Sequence, residues 1–376
     1  MILTPQQDTV IKSINSWLDD YYNLHILKKL YVLKGYAGTG KTTIVKYINE
    51  KYLYKTICAA YTGKAAKVLQ SKIGLPAYTI HSLIYKPVDD KSKKDGVRWI
   101  LNNESPIVES KLIIIDEGSM VGKKILEDLM SFGVPILLIG DPGQLETIND
   151  DNVFNKLQSD SILSEIHRQA KENPIIRLSM MARQGKEIPY QSYGNHVKKI
   201  KKTPETYKKY LYTADMVLVG RNVTRNLINK AFREKLKFKS RYPLKKDRII
   251  CLKNNQTHNI LNGHEGIVSK DAVFDPNTGL ITLSCILDDF VLKDVKSFAC
   301  YFSPNCEEVL KTYDRKYVHA NLHFDYAYAI TVHKSQGSQY GSVCVIDEFN
   351  WGDSDNRKRM LYTAITRAEE KLIILQ

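Results

Sequence analysis

An α/β fold with two parallel-sheet lobes is what this 376-residue sequence predicts. Short apolar runs that each feed a turn and then a helical pattern recur in both halves. A glycine-rich turn sits at one such junction. From residue 247 to about 325 the rhythm gives way to short alternating runs separated by turn dipeptides. The first lobe is expected at 1–84 and 107–185, interrupted by a polar β-ribbon at 85–106. The second is expected at 186–246 and 326–376, interrupted by a small β-barrel at 247–325.

Thr4 and Pro5 form a helix N-cap and first turn, and Val10, Ile14, Trp17 and Leu18 recur behind them at helical spacing. Gln7 in that turn carries an amide able to read an adenine edge, one end donating and the other accepting. Leu30-Tyr-Val-Leu-Lys-Gly35 is an apolar strand that runs into Tyr36-Ala37-Gly38-Thr39-Gly40-Lys41-Thr42-Thr43 and then a helix. Gly35, Gly40, Lys41 and Thr42 in this context fit a phosphate-binding loop, whose backbone N–H groups wrap phosphates at a helix N-terminus. Lys41 then reaches the β/γ-phosphates and Thr42 ligates Mg²⁺. The competing reading is a tight strand-to-helix turn without ligand.

Lys55 to Tyr61 reads as a buried parallel strand, and Thr62-Gly63-Lys64-Ala65-Ala66 opens another helix. Thr79-Ile80-His81-Ser82 follows; a lone His by itself carries no assigned role. Between Tyr85 and Pro106 the chain is polar. Asp95-Gly96 is a hairpin-turn dipeptide, with Val97, Trp99 and Leu101 alternating after it. Trp99 on such a ribbon either packs onto the body or stacks on a base.

Lys111-Leu-Ile-Ile-Ile-Asp116-Glu117 delivers two carboxylates to the C-terminal end of a strand, where open parallel sheets bind ligands. With the phosphate loop upstream, Asp116 is placed to hold Mg²⁺ and Glu117 to orient or deprotonate an attacking water. That pair favours hydrolysis over nucleotide binding alone. Pro135 to Asp141 is a further buried strand ending in Gly140-Asp141-Pro142-Gly143-Gln144-Leu145, where Gln144 can bond both the γ-phosphate and the water. In Glu165-Ile-His167-Arg168-Gln169, Arg168 has the chemistry of a charge-stabilising finger.

The second lobe opens with Asp215 to Gly220 and a helix through Leu227, Ile228, Ala231, Phe232 and Leu236. Arg248 to Leu252, Gly266 to Val268 and Leu280 to Leu283 are the alternating runs of the barrel, separated by Asn262-Gly263 and Asn277-Thr278-Gly279. His319 and His323 lie there without a Cys or carboxylate pattern, so no metal site is read. The α/β rhythm returns with Tyr328 to Val332, His333-Lys334-Ser335-Gln336-Gly337, a strand Ser342 to Ile346, a helix through Met360 and Leu361, and a last strand Leu372 to Leu375.

Composition narrows the class. No apolar run approaches the roughly 18 residues a membrane helix needs, and Met-Ile-Leu-Thr-Pro-Gln-Gln lacks the regions of a signal peptide, so a soluble cytoplasmic protein is expected. The six cysteines contain no C-x-x-C pair, which favours reduced thiols. Between Lys186 and Lys253 stand 19 Lys and Arg against 5 Asp and Glu, which is the whole excess of +14. A concentrated basic segment is what a polyanion-binding surface needs, although scattered lysines are as often a solvated face.

The blocks Gly-Tyr-Ala-Gly-Thr-Gly-Lys-Thr, Thr-Gly-Lys-Ala-Ala, Thr-Ile-His, Asp-Glu-Gly-Ser-Met, Gly-Asp-Pro-Gly-Gln-Leu, His-Arg-Gln, His-Lys-Ser-Gln-Gly and Tyr-Thr-Ala-Ile-Thr-Arg-Ala stand in one order behind Gln7. In that order the chain resembles the superfamily 1 helicases, and within them the 1B branch of RecD- and Dda-like DNA helicases. The resemblance implies two RecA-like lobes that close on ATP and Mg²⁺, and 5′-to-3′ movement along single-stranded DNA. It makes the ribbon the pin that splits duplex forks and the barrel an SH3-like insert.

Residue by residue, the resemblance implies that Gln7 contacts adenine, and that Gly35, Ala37, Gly38, Thr39, Gly40, Lys41, Thr42 and Thr43 bind nucleotide. It has Thr42 and Asp116 hold Mg²⁺, Glu117 act as base, and Gln144 and Gln336 approach the γ-phosphate. Arg168 and Arg367 become arginine fingers. Thr62, Lys64, Thr79, His81, Trp99, His333 and Lys334 face DNA. A monomeric motor in the cytoplasm of a cell or of a virus's host is implied, with single-strand-binding or replication proteins as further partners and roles in replication or recombination. Two departures stand out. Glu146-Thr147 replace the prolines usual after Gln-Leu, and Gly118 replaces a small side chain, which loosens the Asp-Glu turn.

Three alternatives remain open from sequence: a translocase that strips bound proteins without efficient strand separation, a regulatory nucleotide-dependent binding module, and RNA as the substrate.

Overall fold

The computed structural model describes residues 3–24, 28–52, 55–89, 97–146, 153–166, 172–255, 258, 260–287, 290–303, 305–349 and 352–376. In the first half, β1 (Leu30–Gly35), β2 (Thr56–Ala60) and β3 (Ala77–Thr79) precede a ribbon of β4 (Tyr85–Asp89) and β5 (Val97–Leu101). β6 (Leu112–Asp116), β7 (Ile136–Gly140) and β8 (Ser161–Leu163) follow. The strands outside the ribbon form one parallel sheet in the order β3-β2-β6-β7-β1-β8. Every residue of β7 is buried, as expected of a parallel strand covered by helices on both faces.

Alternate residues feed opposite layers. Leu33, Ile114 and Leu137 pack under the helices Pro5–Asn23 and Lys41–Lys51, whereas Val32, Ile113, Ile115 and Leu138 pack against Ile80, Leu129 and Phe154. β6, β7 and β1 are neighbours in the sheet, so the segments following them meet at one edge. Thr4 caps the opening helix through a reciprocal pair with Gln7, and Pro5 starts it, as the sequence predicts.

The second sheet takes β9 (Val197–Ile200) and β10 (Met216–Val219) from before the barrel. Barrel strands β11 (Arg248–Cys251), β12 (Glu265–Asp275), β13 (Leu280–Leu287), β14 (Phe290–Phe298) and β15 (Phe324–Tyr326) intervene. β16 (Ala329–Thr331), β17 (Tyr340–Ile346) and β18 (Ala368–Leu375) then complete a parallel sheet ordered β16-β10-β17-β18-β9. The insert is antiparallel, ordered β14-β13-β12-β11-β15. A parallel bridge from Ser297 to Leu322 links its far edge back towards β15, around a core of Ile249, Val268, Leu283 and Phe324.

Several elements differ from expectation. Helix Pro174–Arg183, assigned by the sequence division to the first lobe, buries Ile175, Leu178 and Ala182 with Met360, Tyr362 and Ile365 in the core of the second. Its periodicity says helix but cannot say which sheet it covers. β18 begins at Ala368, because the exposed Glu369, Glu370 and Lys371 hide its first half from a hydropathy reading. The hairpin turn at Asp95-Gly96 lies outside the described residues, but its flanks pair antiparallel, with Trp99 opposite Pro87.

Among the described residues all six cysteines are free, no cluster of metal-ligating side chains occurs, and no helix is long and apolar enough to cross a membrane.

Candidate functional site: two cavities between the lobes

The loop after β1 is built by backbone conformations that favour glycine: Gly38 and Gly40 have φ of 77° and 82°, and Gly40 caps helix Lys41–Lys51. The helix N-terminus opens on a cavity of about 430 Å³ lined by Ala37, Gly38, Gly40, Lys41, Thr42, Asp116, Glu117, Asp141 and Gln144 from the first lobe. The second lobe contributes Gly337, Thr366 and Arg367 to the same walls. Lys41 Nζ donates to the carbonyls of Gly35 (2.8 Å) and Tyr36 (3.1 Å) and stands 3.8 Å from Asp141 Oδ2.

Glu117 is held at φ 53°, a left-handed conformation uncommon for a side-chain-bearing residue, and its N–H donates to Asp116 Oδ1 at 2.9 Å. Strained backbone of this kind concentrates at functional sites. Gly118 packs the turn tightly: a Cβ there would lie 2.9 Å from the Ile139 carbonyl oxygen, so glycine closes the turn where a looser one was expected.

Burial pushes the Glu117 carboxyl above the ordinary carboxylate range; Arg367 and Lys41 pull it back, and Asp116 and Asp141 push it further. Burial also raises Asp116, against the Glu117 N–H, Lys41 and Lys72.

The residues fit a magnesium–triphosphate group. Gln144 is 5% exposed, and its Oε1 is buried without a hydrogen-bond partner among the described residues. An unpartnered buried acceptor costs free energy unless a ligand or water supplies a donor. The Thr42 hydroxyl and Asp116 carboxyl are hard oxygen donors of the kind Mg²⁺ takes.

A neighbouring cavity of about 370 Å³ brings together Thr62 and Lys64 of the first lobe, His333, Lys334, Gln336 and Ser338 of the second, and Asn262 and Gly263 of the barrel. The two cavities share a wall, for Gln336 and Ser338 line this one while Gly337 between them lines the other. Burial pushes Lys334 down to about 8, with Arg225 adding to the fall and Asp325 opposing it. His333 is lowered by burial as well. Lys64 is held across the cleft by Glu265 (2.5 Å), which also accepts from the Tyr340 hydroxyl at 2.6 Å.

Other expected site residues fall elsewhere. Gln7 is not on the cavity wall: its Nε2 donates to the Thr39 carbonyl at 3.3 Å and its Oε1 accepts from the Thr4 N–H. Gln336 does not line the cavity around Lys41; its amide donates to the Leu145 carbonyl at 2.7 Å. Gly35, Thr39 and Thr43 are not on its wall; the Thr39 hydroxyl donates to the Tyr36 carbonyl, and Thr43 lies within helix Lys41–Lys51.

Thr62 and Thr79 accept from the N–H groups of Ala65 and Ser82 as helix caps. Thr79, His81 and Trp99 lie outside the second cavity; His81 packs against Tyr61 and Tyr85, and Trp99 is half exposed on the ribbon. Arg168 lies outside the described residues.

Sequence reasoning missed Asp141, Arg183, Arg359 and Tyr362. Asp141 is 1% exposed, accepts from the Tyr362 hydroxyl at 2.6 Å, and sits beside Lys41. Arg183 stacks 3.4 Å over the Tyr36 ring. Asp141 and Tyr362 both stand inside motif blocks, but 221 residues separate them, and no local pattern signals that they touch.

Comparison with known proteins gives a consistent likeness. Residues 24–202 match the family model of an AAA domain, and residues 326–375 match that of the UvrD-like helicase C-terminal domain. The chain is 33% identical over 160 residues to the ATP-dependent RecD2 DNA helicase of Deinococcus radiodurans, covering 40% of this chain and 21% of that protein. It is 33% identical over 129 residues to the ATP-dependent DNA helicase dda of Enterobacteria phage T4, covering 32% of this chain and 29% of that one. It thus spans under a third of the length of either protein.

In fold it resembles the Pif1 helicase from Bacteroides solved with ADP-AlF3 and single-stranded DNA. That likeness has a TM-score of 0.55 at 20% identity and covers 100% of this chain and 92% of that one.

Proposed function

On the premise that this chain is a superfamily 1B helicase of the RecD and Dda type, we propose that it moves 5′ to 3′ along single-stranded DNA on ATP hydrolysis and separates duplex at forks. One observation carries the reading. The cavity holding Lys41, Glu117 and Arg367 and the cavity holding Lys64, His333 and Lys334 both lie between the lobes and share the Gln336–Ser338 wall. A change of lobe spacing at one is therefore felt at the other.

The loop N–H groups and Lys41 bind the phosphates; Thr42 and Asp116 would hold Mg²⁺, which would supply positive charge against the phosphate oxygens. Glu117, in its ionised form, takes the proton of the attacking water. Gln144 offers its free Oε1 to that water. Arg367 reaches the site from the opposite lobe, so its charge assists only when the lobes are together. Arg168 keeps its finger role on resemblance alone.

On the strand side, Thr62, Lys64, His333 and Lys334 contact phosphate, with Thr79 and His81 flanking. Lys64 exchanges Glu265 for DNA when the lobes part. Trp99 on the ribbon is the working aromatic of the pin, the antiparallel insert is an SH3-like module, and the motor works as a monomer. The lobe division predicted from sequence holds in this reading, except that helix Pro174–Arg183 moves with the second lobe.

The test compares forks with a 5′ or a 3′ single-stranded tail, alongside ATP hydrolysis with DNA or RNA oligonucleotides at stated salt. Unwinding of the 5′-tailed fork alone, with hydrolysis stimulated by DNA, is expected. Strong stimulation with flat unwinding identifies a protein-stripping translocase instead, and hydrolysis indifferent to either polymer defeats the motor reading.

A further inference from the structure

The segment following β7 is gripped by the second lobe along its backbone. Arg359 Nη1 donates to the carbonyls of Pro142 (2.8 Å) and Gln144 (3.0 Å), and the Thr363 hydroxyl oxygen accepts from the Leu145 N–H (2.9 Å). The Tyr362 hydroxyl donates to Asp141 Oδ2 (2.6 Å) and accepts from the Ala37 N–H of the phosphate loop (2.8 Å). Leu145 itself is buried in the second lobe's core cluster. Gly143 leaves room for this contact, since a Cβ there would lie 3.0 Å from Tyr362 Cε1.

Arg359, Tyr362 and Thr363 are spaced three and four apart on helix Ser354–Ile365, so one helical face makes the whole grip. Gln144 stands between the anchored carbonyl of Pro142 and the anchored N–H of Leu145, and its own carbonyl is held too. Its side chain makes no hydrogen bond through Oε1 among the described residues, so backbone anchors from the other lobe orient it.

We infer that Arg359, Tyr362 and Thr363 are positioning residues that seat Gln144 for hydrolysis only while helix Ser354–Ile365 is docked on residues 141–145. The inference rests on the motor reading above and deepens it. Opening of the lobes withdraws the grip and moves Gln144 and the Ala37 N–H out of register together. The second lobe thereby switches two groups of the first, in addition to contributing Arg367.

The test is steady-state ATP hydrolysis by the full chain with saturating single-stranded DNA, for Arg359→Ala and Thr363→Val, each alone and combined with Gln144→Ala. Each single change is expected to lower kcat about tenfold while KM for ATP stays within about threefold, the pattern of a group that acts in the transition state. Combined with Gln144→Ala, the further loss should shrink to under about twofold, because residues acting through one group are not additive. Thr363→Ser, which keeps the hydroxyl, should restore kcat.

Losses that multiply with Gln144→Ala, a rise in KM alone, or an unchanged kcat would each overturn the inference. Melting curves accompany every variant, and where Arg359→Ala unfolds, the Thr363 pair decides the outcome. Wild-type protein that shows no DNA-stimulated hydrolysis defeats the motor reading itself, and the inference with it; normal wild-type stimulation with unaffected variants defeats the inference alone.

Discussion

Glu117 illustrates how one residue is tuned by its surroundings. Its carboxyl is raised mainly by burial; if Glu117 is the base proposed above, it must be ionised to act, so hydrolysis is expected to decline as pH is lowered through that raised value. Glu117→Gln should lower kcat by at least about a hundredfold, the usual scale for a general base, while ATP binding measured by equilibrium titration persists. A raised folded-state value also means that the folded protein binds more protons than the unfolded one between the ordinary and the raised pKa. Stability is therefore lost as pH rises through that window. Glu117→Gln should accordingly melt higher than wild type at pH 8, with the difference vanishing in acid.

Lys334 behaves in the opposite sense, being pushed down to about 8 chiefly by burial. If Lys334 meets strand phosphate as proposed, phosphate favours its charged amine and binding takes up protons near pH 8. Affinity for single-stranded DNA should weaken by about tenfold between pH 7 and pH 9, a dependence that Lys334→Arg removes because its guanidinium stays charged.

At the level of elements, the turn following His333–Ser335 forms the wall that the two cavities share. Gly337 has φ 72°, and a Cβ there would lie 2.8 Å from Thr62 Oγ1 and 2.9 Å from Ala65 Cβ on the opposing lobe. Gly337→Ala combines left-handed backbone strain of about 1 kcal/mol or more with a close contact against Thr62 and Ala65 of the opposing lobe, which must shift to accept it. Thermal unfolding should show the loss of stability, and DNA-stimulated kcat should fall more steeply than ATP affinity.

The elements were legible to differing degrees. Lys41–Lys51 and β6 are plain in the chain because capping glycines and unbroken apolar runs are local signals. The lobe to which Pro174–Arg183 belongs was not legible, because both sheets offer an apolar face and only the packing of Leu178 against Met360 and Tyr362 selects one.

For the whole molecule, the question is where the net charge of +14 acts. The excess lies wholly in the stretch from Lys186 to Lys253, which runs through β9, β10 and β11 of the second lobe and its barrel. If that lobe carries the strand, binding should weaken steeply with salt as condensed counterions are released, log K falling linearly with log salt. Charge-neutralising exchanges among the exposed Lys201, Lys202 and Lys208 should flatten the slope without altering ATP hydrolysis in the absence of DNA. A slope unmoved by such exchanges assigns the excess to a solvated face.

By itself, the order of motifs determined the chemistry available to this protein. A phosphate loop, a carboxylate pair at a strand end and a distant arginine are local patterns, dictated by backbone sterics and side-chain type within a few residues. Only the tertiary structure decided which of those groups share a cavity. It left Gln7 and Gln336 bonded outside the chamber around Lys41, set Arg367 within it, and joined Tyr362 to Asp141 across 221 residues. The physical reason is that contacts between lobes arise from the packing of two sheets whose strands come from distant parts of the chain, which no short stretch encodes.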